Sequence, residues 1–120
     1  MNIKGIRVLV VDDDDTLRET LCDALAMEGA QIDEASNGLI AFDKIKTREY
    51  DLVLSDVRMP DCSGIDLLNM LKDYDGNTPE IIMMSAFSDL NESEAKKLGA
   101  KKIFLKPTKL AEIKSLIEEI

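Results

Sequence analysis

Val8-Leu9-Val10-Val11-Asp12-Asp13 is the stretch on which the fold turns. Four aliphatic residues run without a polar break, and then the chain becomes acidic. An unbroken apolar run suits a strand buried on both faces, as in a parallel sheet covered by helices. In such sheets ligands bind just beyond the carboxyl ends of the strands. Asp12 and Asp13 sit at that edge, with Asp14 and Asp15 beside them. Four adjacent carboxylates repel one another, and a divalent cation is the natural group to offset them.

Outward from this stretch, strand-like and helical patterns alternate. An amphipathic segment from about Asp15 to Glu28 puts Leu17, Leu21, Ala24 and Leu25 on one face, with Asp14 or Asp15 as its cap and Gly29 as its stop. Gln31–Ala35 is a short mixed strand, and Asn37-Gly38 is a turn before a helix over Leu39–Thr47. Leu52-Val53-Leu54-Ser55 is a second buried strand, ending at Asp56. The loop Val57–Gly64 leads to a helix marked by Ile65, Leu68 and Leu71. Ile81-Ile82-Met83-Met84 is a third apolar strand, ending at Ser85. A weakly amphipathic helix over about Glu92–Leu98 precedes the strand Ile103-Phe104-Leu105, which ends at Lys106-Pro107. The closing helix runs from about Leu110 to Ile120. Successive strands recur every roughly 20–28 residues, the length of a βα unit with short loops. Five units predict an α/β fold with an open, doubly wound parallel sheet.

Bulk composition narrows the function. The 120 residues read as a single domain, 1–120, with no output domain expected in this chain. Fifteen basic against 24 acidic residues give a net charge of −9, which argues against nucleic-acid and anionic-membrane partners. There is no histidine, so the commonest metal ligand and general base are missing and the chain carries no phosphohistidine of its own. Oxygen ligands favour Mg²⁺, Mn²⁺ or Ca²⁺ over Zn²⁺. Cys22 and Cys62 have no metal-type spacing and read as free thiols. Neither a signal peptide nor a membrane-length apolar run is visible, so a cytoplasmic location is expected.

The chemistry gathers at the strand ends. Asp12 and Asp13 follow the first strand, Asp56 the third, Ser85 the fourth and Lys106 the fifth. In a parallel sheet these ends share one edge. Carboxylates there would hold a hard cation, and a lysine and a hydroxyl opposite would grip an anion. That combination suits a phosphoryl group bridged to a metal.

These residues resemble the receiver domain of two-component response regulators, along the whole chain. The matching motifs are Val-Val-Asp-Asp at 10–13, Asp56-Val-Arg-Met-Pro60 followed by Gly64, Ser85-Ala86 and Lys106-Pro107. The resemblance implies a five-stranded sheet of order 2-1-3-4-5 with five helices, forming a three-layer sandwich. It implies Asp56 as phosphoacceptor, and Asp13, Asp56 and the backbone carbonyl of Arg58 as Mg²⁺ ligands, with Asp12 assisting through water. Lys106 would pair with the phosphoryl oxygens, and Ser85 and the backbone N–H of Ala86 would bind another. A histidine kinase or phosphotransfer protein would donate the group. A downstream protein would dock on the face of the fourth helix, fifth strand and fifth helix, with a phosphorylation-dependent dimer as a further expectation there. Such a domain catalyses only its own phosphorylation and dephosphorylation. Two positions depart from the family pattern: Ile103 stands where an aromatic switch residue is usual, and Thr108 where Phe is frequent. The family also implies a cis Lys106–Pro107 bond. Arg58 and Phe87, near the acceptor and Ser85, are read as covers that slow hydrolysis.

Two rival readings remain at this stage. Asp12-Asp13-Asp14-Asp15-Thr16 also spells the D-x-D-x-T motif of haloacid-dehalogenase-type phosphatases, with Asp12 as nucleophile and Asp14 as general acid. That reading needs a late acidic motif, for which only Glu112, Glu118 and Glu119 are available. The other rival is a receiver-like module that binds a partner without being phosphorylated; such modules usually lose acidic or lysine positions that this chain keeps.

Overall fold

The computed structural model describes residues 3–85, 92–97, 99–106 and 109–119. Five parallel strands form one sheet in the order β2-β1-β3-β4-β5. They are β1 (Arg7–Val11), β2 (Gln31–Ala35), β3 (Leu52–Asp56), β4 (Glu80–Ser85) and β5 (Lys102–Leu105). The helices between them are α1 (Asp15–Met27), α2 (Gly38–Thr47), α3 (Gly64–Asp73), α4 (Glu92–Lys97) and α5 (Leu110–Glu119). The fold class is the one the sequence pattern predicts, and the strand order is the one the resemblance implies.

Strand alternation divides the core in two. Leu9, Val11, Val53, Ile81 and Met83 point to one face, where Ala41 and Ile45 of α2 and Leu67, Leu68 and Leu71 of α3 cover them. Val8, Val10, Leu52, Leu54, Ile82 and Met84 point to the other, against Leu21 and Leu25 of α1 and Ile113 and Ile117 of α5. Val8 to Val11 have no exposed surface at all. Full burial of each such side chain contributes about 1.5–3 kcal/mol, which is why these runs carry no polar break. Ile103 packs on the α2/α3 side and Phe104 on the α1/α5 side, so neighbouring positions of β5 face opposite ways.

The helices begin where the sequence offers caps. The Asp14 side chain accepts from the Leu17 N–H at 3.1 Å, and Asn37 accepts from the Ile40 N–H at 2.9 Å. Ser63 and Asp66 form a capping box at the start of α3, a Ser-x-x-Asp signal that the reading by apolar spacing passed over. Gly29 ends α1 with φ +92°, a conformation that suits glycine. Among the described residues, no helix is long and apolar enough to cross a membrane.

Candidate functional site

The strand ladder sets the site. Val11 pairs with Ser55, Asp56 with Met84, and Ser85 with Leu105. Past the strand ends the Asp12 N–H donates to the Ala35 carbonyl at 3.1 Å and the Lys106 N–H to the Ser85 carbonyl at 2.8 Å. Asp12, Asp56, Ser85 and Lys106 are thereby carried to the same edge. Asp12 is completely buried, and Asp56 and Ser85 are each 4% exposed.

The Lys106 ammonium bridges two of the acids. Its Nζ donates to Asp56 Oδ2 at 3.0 Å and to Asp12 Oδ1 at 3.3 Å, across 50 and 94 residues of sequence. Asp12 Oδ1 also accepts from the Asp14 N–H at 2.9 Å. Asp12 Oδ2 is buried with no hydrogen-bond partner. A buried carboxylate oxygen left in that state is costly unless a cation or water meets it. One oxygen from each of Asp12, Asp13 and Asp56 lies within 4.8 Å of the other two, and Asp13 is exposed. Three carboxylate oxygens this close, beside a buried Asp12 oxygen that lacks a partner, suit a hard cation such as Mg²⁺.

Electrostatics agree with an incomplete charge balance. Burial pushes the Asp12 carboxyl up to about 6, helped by Asp56 and opposed by the Asp14 amide and Lys106. Burial also raises Asp56, while the Lys106 hydrogen bond and charge pull it back. Lys106 loses hydration, but its two carboxylate partners hold its ammonium charged above the ordinary value. One lysine thus faces two buried acids, and a metal would supply what it cannot.

Glycines bring the backbone close. A Cβ on Gly64 would sit 2.2 Å from the Asp56 carbonyl oxygen and 2.6 Å from Met83 Cε. The Gly64 N–H donates to the Val57 carbonyl at 2.9 Å, folding the loop after β3 back toward Asp56. Within that loop Asp61 adopts φ +70°, which aspartate tolerates better than most residues. Arg58 is exposed.

Most site residues named from the sequence converge. Asp12, Asp13 and Asp56 share one acidic cluster, and Lys106 reaches two of its members. Asp12 is the fully buried member of the cluster and a hydrogen-bond partner of Lys106. Ala86, Phe87, Pro107, Thr108 and Ile120 lie outside the described residues, and with them the Ala86 amide, the Phe87 cover and the Lys106–Pro107 isomer. Arg18, whose guanidinium binds the Asp12 carbonyl at 2.6 Å, was not singled out from sequence. Its spacing of three from Asp15 on α1 was the available signal.

The phosphatase reading fails on placement. Asp14 is exposed and occupied as the cap of α1. Among the described residues, the acids close enough to share one ion are Asp12, Asp13 and Asp56, with none of Glu112, Glu118 or Glu119. Clefts of about 350 and 420 Å³ open near Arg7, Arg48, Tyr50 and Tyr74, and are lined by none of these site residues.

A doubly wound sheet with acids, a serine and a lysine at its carboxyl edge defines a class, and the sequence comparison agrees. Residues 8–118 match the response regulator receiver domain family, and the chain belongs to it. It is a phosphoacceptor domain of two-component signalling. It is 36% identical to sporulation initiation phosphotransferase F of Bacillus subtilis over 94% of this chain and 91% of that protein. It is 36% identical to chemotaxis protein CheY of Thermotoga maritima, over 86% of this chain and 87% of that one. Among solved structures, response regulator TrrA of Thermotoga maritima, in complex with Mg(2+)-BeF, superposes with TM-score 0.79 and 32% identity, over 95% of this chain and 97% of that one. Other relatives are longer: the chain spans 24% of regulatory protein AtoC of Escherichia coli.

Proposed function

We propose that Asp56 accepts a phosphoryl group from a histidine kinase or phosphotransfer protein, at a site completed by Mg²⁺ on Asp12, Asp13, Asp56 and the Arg58 backbone carbonyl. The observation that carries this reading is the Lys106 bridge between Asp56 and Asp12, beside the orphaned Asp12 Oδ2. Metal bound there would neutralise charge spread over the equatorial oxygens of the transferring group.

The chain's own groups supply the rest. Asp56 attacks phosphorus through a carboxylate oxygen, and the donor departs with the electron pair of the broken bond. Lys106 follows the incoming charge, exchanging a carboxylate partner for a phosphoryl oxygen. Ser85 and the Ala86 amide bind a further oxygen, and that movement is the signal. Water later attacks phosphorus in line and frees Asp56, with Arg58 and Phe87 as the residues that slow this step. The output partner docks on the face of α4, β5 and α5.

Phosphopeptide mapping after acetyl phosphate and Mg²⁺ tests the site. The expected result is one phosphoryl group on the peptide containing Asp56, lost in Asp56→Asn and retained, at a lower rate, in Asp12→Asn. Label on Asp12 that survives Asp56→Asn would overturn the assignment.

A further inference from the structure

The Arg18 guanidinium ties the acidic turn to two other elements. Its Nη1 donates to the Asp12 carbonyl at 2.6 Å, its Nη2 to Asp15 Oδ1 at 2.7 Å, and its Nε to Glu34 Oε1 at 3.1 Å. One side chain on α1 thereby joins the end of β1 to the outer strand β2. The Arg18 side chain is 14% exposed, whereas those of Asp15 and Glu34 are 78% and 47% exposed. Pairs with such exposed carboxylates contribute little by themselves. The bond to the Asp12 carbonyl differs in its acceptor: it is part-buried main chain, so the guanidinium grips the peptide that links Asp12 to Asp13. That carbonyl lies past the last residue of β1, Val11.

We infer that Arg18 is a positioning residue for the metal site: it fixes the Asp12–Asp13 peptide plane and so aims the Asp13 carboxylate toward Asp56. The two exposed acids hold the far side of the fork, so the planar guanidinium approaches the carbonyl from one direction. A lysine could reach one partner as a point charge but could not hold all three. The inference rests on the magnesium site proposed above.

Charge and position make opposite predictions. Arg18 is a cation beside an acidic cluster, so by charge alone its removal would tighten Mg²⁺ binding. That effect is blunted because the Arg18 charge is already paired with the Asp15 and Glu34 carboxylates. Loss of an outer partner that orients a ligand weakens metal binding by about tenfold or more. Position should therefore prevail, and removal of Arg18 should weaken binding.

The test is calorimetric Mg²⁺ titration of the unphosphorylated wild type, Arg18→Gln, Arg18→Lys and Asp13→Asn, with melting temperatures recorded without metal. Both Arg18 variants should bind Mg²⁺ about tenfold more weakly than wild type. With acetyl phosphate, the Mg²⁺ concentration for half-maximal phosphorylation should rise by the same factor, with the rate at saturating Mg²⁺ unchanged. Affinity equal to or tighter than wild type in Arg18→Gln, or full recovery in Arg18→Lys, would overturn the positioning role alone. If Arg18→Gln does not fold, Arg18→Lys decides by the same criterion. If wild type and Asp13→Asn bind Mg²⁺ equally weakly, the metal site itself is wrong and the inference falls with it.

Discussion

Gly64 shows how a residue with no side chain lets two stretches of main chain meet at Asp56. An added methyl would occupy the space of the Asp56 carbonyl oxygen, 2.2 Å away, and backbone cannot yield as a flexible side chain does. Gly64→Ala should therefore cost about 1–3 kcal/mol of stability, read as a lower urea midpoint. It should also slow acetyl phosphate labelling of the protein that remains folded, because the displaced group is the main chain of Asp56, the proposed acceptor. A loss of stability with labelling kinetics unchanged would mean the loop, not Asp56, absorbs the methyl. Gly64 was quoted in the sequence as part of a motif, but its contact with Asp56 was not legible there. The two are eight positions apart, and only the fold of the loop brings them together.

At the scale of elements, β2 is held from outside by side chains of the loop after α2. The Tyr50 hydroxyl donates to Asp33 Oδ2 at 2.6 Å, and Arg48 Nη1 donates to the same oxygen at 3.1 Å. The Tyr50 hydrogen bond, with Arg48 in support and burial opposing, holds the Asp33 carboxyl below its ordinary value of 3.8. A carboxylate with a lowered folded value binds fewer protons folded than unfolded. Its contribution to stability is present above pH 3.8 and is lost as pH falls through the folded value. Tyr50→Phe should move the Asp33 titration, followed by NMR, upward toward 3.8, and should flatten the acid limb of the stability curve. The Asp33 side chain is 37% exposed, so solvent screening keeps the effect small. An unmoved Asp33 titration would show that Arg48 alone sets it. The helices, by contrast, were legible locally. Asp14 and Asn37 cap α1 and α2 because their short side chains reach back to the third amide on.

For the whole molecule, the sheet concentrates negative charge at one edge, and Lys106 relieves it only in part. Asp12 is fully buried and its carboxyl is pushed up to about 6, mostly by burial. Asp12→Asn should therefore make the metal-free protein more stable at neutral pH, by about 1–3 kcal/mol. Wild type should gain about 1.4 kcal/mol from Mg²⁺ at ten times its dissociation constant, and the variant clearly less. Melting curves with and without MgCl₂ check both signs. Equal responses of the two proteins to Mg²⁺ would remove Asp12 from the metal site. The arrangement makes thermodynamic sense for a switch, since the unliganded state keeps unspent repulsion that metal and phosphoryl transfer then act upon.

Sequence by itself determined the layers. Val8–Val11, Leu52–Leu54 and Ile81–Met84 are apolar without interruption because both faces of a central strand must leave water, and that demand is written residue by residue. It also put Asp12, Asp13, Asp56, Ser85 and Lys106 at the strand ends. Tertiary structure alone decided how those groups meet. That Asp12 is the buried acid, that Lys106 bridges it to Asp56, and that Arg18 grips its carbonyl depend on chain segments up to 94 residues apart. Periodicity records which face a residue prefers, whereas partnership across the sheet depends on register and strand order, which no local pattern encodes.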